Sequence, residues 1–276
     1  MEWKITLEPI FRWFHIIAGI TWIGLLYFFN FINGHVAATM DADSKKKVVP
    51  ELMPRALYWF RWGAAWTWFT GVILLFLVFY LTGEMPSDFR SSLDETTGIE
   101  TSANMWVHLS LGLTFASVFL YDFLYKKVKF GITCPIAKNT RVVTLISFGL
   151  IGCIICLMSS CGGFSYRLYN ISIGAMFGTM MAFNVWFRIW PAQQKIITAI
   201  KNGDAPDGND VALAGLRSKH NTYMSVPLIW TMIAAHTTGY EGLLFQCKGM
   251  VLLVVIALGW HIVFQLYKKS GKIQGF

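Results

Sequence analysis

Six histidines, at positions 15, 35, 108, 220, 236 and 261, lie in or beside long apolar stretches of this 276-residue chain. An ionisable side chain inside a bilayer is costly and is a functional candidate by default. At a rise of ~1.5 Å per residue, His15 sits about 6 Å, His108 about 7 Å and His236 about 5 Å below the same, outer end of their segments. Three imidazoles at one depth suit axial ligation of a haem iron. Gly19 follows His15 and Gly112 follows His108 at i+4, on the ligand's own helix face, and a side chain there would obstruct a flat macrocycle. A neutral imidazole from each of two facing helices makes a six-coordinate iron suited to one-electron transfer. The expected cofactor is therefore one haem b, on His15 with either His108 or His236, the latter followed by Gly239. The plainer reading is that each imidazole bonds a carbonyl or a neighbouring helix. His35 and His220 read as interfacial and His261 as mid-helix, with a second, inner haem as an alternative.

A second polar group gathers near the opposite ends of the segments: Asn30, Asn33, Arg61, Asp122, Asn184 and Arg188, then His220 and Asn221. Ordinary interface chemistry accounts for such a rim if the arginines snorkel and the asparagines cross-link helices. The functional reading is a pocket for a small, hydrogen-bond-rich anion. Arginine supplies charge and a fork of donors, and asparagine supplies both donor and acceptor. The candidate substrate-binding residues are Arg61, Asn184, Arg188, Asn221 and Asn30. The five cysteines form no zinc spacing, and Cys153 and Cys156 are followed by Leu157 where covalent haem attachment needs histidine. Cys161 and Cys247 both fall near the outer surface, within conceivable reach of a disulfide.

The elements that must hold these residues are helices in a membrane. The chain is 55% hydrophobic and 14% charged, with mean hydropathy +0.51. A soluble domain carries about 25% charged residues. Apolar segments run at about 11–33, 57–82, 103–125, 141–161, 168–190, 222–239 and 248–267, which predicts an all-α bundle of seven transmembrane helices with room for an eighth. The whole of 1–276 reads as one transmembrane domain. The first run continues without a small-residue cleavage site, so it should stay as a helix.

Net charge is +8, and the basic residues occupy alternate loops. Lys45, Lys46, Lys47 and Arg55, then Lys126, Lys127, Lys129, Lys138 and Arg141, then Lys195, Lys201, Arg217 and Lys219, and finally Lys268, Lys269 and Lys272 share one side. That pattern predicts an N-terminus outside, on the periplasmic side if the membrane is a bacterial one, and a cytoplasmic C-terminus, and it explains the charge without nucleic acid. Trp13 and Trp106 mark the outer interface; Trp59, Trp62, Trp186 and Trp190 mark the inner one. The outer loop at 83–102 is acidic, with Glu84, Asp88, Asp94, Glu95 and Glu100 against Arg90, and would attract a basic partner.

The motifs resemble a known family. Phe11 to His15, Gly19 to Gly24, Tyr27 to Asn30 and Trp59 to Ala64 are similar to the membrane domain of bacterial membrane-bound urate oxidase, and so are MMAFNVWFRIWP at 180–191, Asn221-Thr222, Ser225 to Pro227 and His236. The first-helix motif is also distantly similar to membrane protoporphyrinogen oxidase and copper-resistance membrane proteins, a grouping that links a first-helix histidine to haem. The resemblance implies oxidation of urate to 5-hydroxyisourate, with electrons passed to a cytochrome c domain that follows the membrane domain. No CxxCH follows here before Phe276, so the expectation is a separate c-type cytochrome docked at 83–102. The alternative is a non-catalytic subunit, haem b-bearing or merely anchoring, of a larger respiratory complex, assembled with other membrane subunits or as a homo-oligomer.

Overall fold

The structure is a computed structural model that describes residues 2–81, 100–125, 140–162, 164–234 and 249–273. It is all-α. The helices are α1 (Glu2–Tyr27), α2 (Gly34–Thr39), α3 (Ala42–Leu75), α4 (Glu100–Tyr125), α5 (Thr140–Cys156), α6 (Tyr166–Asn184), α7 (Trp190–Asn202), α8 (Gly208–Ala234) and α9 (Met250–Ser270). Wider π-helical turns at Phe28–Asn33, Phe76–Tyr80, Leu157–Cys161 and Val185–Ile189 extend or join them. Each such turn advances the register and re-aims the side chains that follow. The turn at Val185–Ile189 separates Asn184 from Arg188.

Four stretches among the described residues are long and apolar enough to cross a membrane: Thr6–Thr39, Ala42–Tyr80, Arg141–Ser160 and Met250–Ser270. The first two have 34 and 39 residues, about 50 and 60 Å of helix against a hydrocarbon core of about 30 Å, so both project beyond it. Their outward faces are apolar: Trp13, Ile16 and Ile20 on α1 and Trp59, Trp66 and Phe69 on α3 are exposed. An apolar surface of that extent calls for lipid.

The chain separates into two compact units, one of residues 1–78, 181–227 and 257–276, the other of residues 79–180 and 228–256. In the first, α2 ends at Met40, whose extended backbone lets Asp41 cap α3. Asp41 accepts from the Ser44 amide at 2.9 Å and the Ser44 hydroxyl at 2.6 Å, satisfying donors that a helix start leaves open. The chain thus doubles back, and α3 packs along α1. A Cβ on Gly63 would lie 3.2 Å from the Trp22 amide nitrogen and 3.3 Å from the Trp22 Cβ. Trp22, Leu26, Leu57, Phe60 and Ala64 close this seam with almost no exposure. Helix α7 ends at Gly203, whose left-handed φ of 87° permits bonds from Gly203 to Ile200 and from Asp204 to Ala199.

In the second unit, Ile155, Met158, Leu168, Tyr169, Ile173, Phe177, Leu252 and Ile256 form the core. Gly249, at φ 89°, donates its amide to the Tyr169 hydroxyl at 3.2 Å and opens α9. The absence of a side chain at Gly174 admits Thr231 and Met232.

Candidate functional site

The polar rim has two parts in the first unit, one closed and one open. The closed part sits between α6 and α8. Asn184 donates to the Asn221 side-chain oxygen at 2.8 Å, Asn221 donates to the Met181 backbone carbonyl at 3.0 Å, and Arg217 donates to the Asn184 side-chain oxygen at 3.3 Å. All three side chains are at 0% exposure. Helix α8 adds Thr222 and Ser225, also fully buried. Ser225 uses its one proton on the Thr222 carbonyl, 2.8 Å away, so the Tyr27 hydroxyl at 3.0 Å donates to it. Asn30 closes the adjoining edge. It donates to Ser218 at 2.8 Å and accepts from the Tyr267 hydroxyl at 2.8 Å, tying α1 to α8 and α9.

The open part is Arg61. Its guanidinium lies 3.6 Å from the centroid of Trp190 and 5.3 Å from that of Trp186, flat enough for cation–π attraction. The Trp186 indole donates to the Arg61 carbonyl at 3.1 Å and packs edge-on to Trp62. The Arg61 Nε is buried and has no hydrogen-bond partner among the described residues. Trp59 and Trp62 beside it are exposed. Arg188 turns elsewhere: it donates to the Phe187 carbonyl at 3.1 Å and lies over Phe183. The structure thus joins Asn184 to Asn221, seats Asn30 in an adjoining set of bonds and holds Arg61 and Arg188 in separate settings. The sequence reading missed Arg217, which it counted as a cytoplasmic loop charge. The signal was there, since Arg217, Asn221 and Ser225 recur at four-residue spacing along one face of α8 as it enters the apolar segment.

On the histidine side, His15 of α1 is half-buried against α3. Its Nδ1 is 3.1 Å from the Thr70 hydroxyl, and a Cβ on Gly71 would lie 2.9 Å from its Cε1. Gly19 faces α3 as well, 3.8 Å from the Thr67 methyl. His108 on α4 is exposed, and Gly112 has open space beside it. His35 reaches Ser270 at 3.3 Å and His261 reaches Gln265 at 3.1 Å. His220 lies half-buried on α8. His236, Cys247 and nearly all of the acidic loop at 83–102 fall outside the described residues. The chemistry of His15 fits haem ligation: a neutral imidazole with one nitrogen hydrogen-bonded to a second shell presents the other to a metal.

Long apolar helices that keep an arginine–asparagine cluster in their interior define a helical membrane protein with a polar core. Residues 40–274 match the family described as urate oxidase N-terminal, and the chain belongs to that family. Its function is accordingly related to urate oxidase. The match begins after α1, so His15 and Asn30 lie outside the matched residues. No curated protein and no solved structure matches the chain.

Proposed function

We propose that the protein oxidises urate or a similar purine in a bacterial inner membrane and passes the electrons, by way of haem b, to a separate periplasmic c-type cytochrome. Family membership supports the substrate class, and the setting of Arg61 carries the reading. A urate anion is planar and rich in acceptors. Half-buried Arg61 offers a planar fork of donors over the Trp190 ring, beside the exposed Trp59 and Trp62. Trp62 and Trp186 give a purine ring aromatic surfaces to stack on. Asn184, Asn221 and Arg217 form the rigid polar wall of α6 and α8 from which the Trp186 turn springs.

The chemistry is the addition of water to urate with loss of two electrons and two protons, giving 5-hydroxyisourate. The protein's share is to bind the anion, orient it and keep its charge compensated. His15 is the residue that would hold haem b, which when bound would supply one-electron chemistry. The acidic segment at 83–102 provides charge complementary to a basic cytochrome surface.

The test is a dithionite-reduced minus oxidised spectrum of the purified protein with pyridine haemochrome quantitation, followed by urate added without oxygen. A b-type signal near one haem per chain that urate reduces, and that ferricytochrome c reoxidises, is the expected result. A b-type signal that urate never reduces would favour the anchoring-subunit reading. A folded preparation without haem would overturn the redox assignment.

A further inference from the structure

We infer that Thr70 and Gly71 of α3 form a seat that positions His15, fixing its tautomer so that Nε2 carries the lone pair offered to a metal. This rests on the proposal that His15 ligates haem. A threonine hydroxyl has one proton, and that of Thr70 goes to backbone: its Oγ1 is 2.6 Å from the Trp66 carbonyl and 3.2 Å from that of Thr67. Oγ1 therefore accepts from the His15 nitrogen 3.1 Å away, and the Thr67 backbone offers the ring a second acceptor. The proton is on Nδ1, and in a neutral ring the lone pair is then on Nε2. Thr70 is 3% exposed, so water does not compete for the bond.

Gly71 completes the seat by shape. A Cβ there would stand 2.9 Å from Cε1, 3.3 Å from Nδ1 and 4.0 Å from Nε2. The ring therefore lies over the glycine with Nε2 as the nitrogen farthest from it. A bonded Nδ1–H oriented by a neighbouring oxygen, and room made for the ring on the facing helix, are what a ligating histidine needs from its surroundings. A histidine serving only to tie two helices needs the bond alone, and its loss would change stability without touching the metal.

The experiment uses the full chain in detergent, with circular dichroism and size exclusion to confirm folding, and reads haem retention and redox potentiometry. His15→Ala should abolish the b-type spectrum. Thr70→Val, of nearly equal shape, should weaken haem retention about tenfold or more and raise the midpoint potential, because an imidazole without its Nδ1–H acceptor donates less charge to ferric iron. Thr70→Ser should restore both. Gly71→Ala should lower haem content by displacing the ring. If His15→Ala loses the spectrum while Thr70→Val keeps wild-type retention and potential, the seat is overturned and the ligand assignment stands. If Thr70→Val lowers only thermal stability, the contact is a helix tie and the seat is again overturned. If His15→Ala keeps the full spectrum, the ligand assignment itself fails.

Discussion

Arg217 and Arg61 belong to the same unit, yet each occupies the setting that charge counting assigns to the other. Arg217 follows a loop and contributes to the positive-inside tally, but it is at 0% exposure within a network of carboxamides. Arg61 stands inside an apolar segment, but it lies over Trp190 beside the exposed Trp59 and Trp62. A guanidinium that gives a donor to a fully buried carboxamide serves the fold, whereas one placed over a tryptophan beside exposed aromatic rings is the one proposed to meet an anion. Sequence distance from a span boundary therefore says less about an arginine's role than what its donors meet.

The comparison breaks first at Arg217. Arg217→Ala removes a large buried side chain together with a charge-assisted bond, and it should cost about 2–5 kcal/mol of stability. Thermal denaturation in detergent checks this. A variant as stable as wild type would mean that the α6–α8 core does not depend on its arginine. Next in size is Gly63, where a β-branched side chain would push into the Trp22 backbone. Gly63→Val should lose about 1–3 kcal/mol from overpacking, read by the same melt, with purine affinity unchanged in the folded fraction.

Arg61 should behave in the opposite sense. Arg61→Gln gives up a cation–π contact of about 0.5–1 kcal/mol and so should melt close to wild type. Its urate affinity should fall about tenfold or more, since a hydrogen bond to a charged partner contributes roughly 1.5–3 kcal/mol. Equilibrium binding of urate to the purified protein decides it. Unchanged affinity in Arg61→Gln together with weakened affinity in folded Asn221→Ala would move the purine to the α6–α8 core.

The helical class, the membrane setting and the family were legible because each depends on long runs: apolar content, alternating basic loops, and motifs spread along the chain. The partners of the site residues were less legible. Arg188 lies over Phe183 and donates to the Phe187 carbonyl, contacts that its position near a span boundary does not encode. Gly19 faces the Thr67 methyl of α3, a neighbour 48 positions away that no local pattern encodes. Tyr267, which satisfies Asn30, is 237 positions from it. Tertiary hydrogen bonds of this kind leave no periodic trace.

The smallest effect is expected where the chain is most exposed, at Asp41. The side chain and backbone amide of Ser44 hold its carboxyl below the ordinary carboxylate range. A group whose folded pKa is depressed adds stability above its unfolded value near 3.8, and that increment is lost as pH falls through the lower, folded value. The cap at the start of α3 should therefore be intact at neutral pH and weaken only in strong acid. Asp41→Asn, which retains an accepting oxygen, should keep it and remove its dependence on pH. Asp41→Ala should leave amides 42–44 open at every pH, seen as faster hydrogen exchange there with no change at the Trp22–Gly63 seam. Equal exchange in wild type and Asp41→Ala at neutral pH would show that α3 is held by its packing on α1 alone, and that even its exposed end owes nothing to charge.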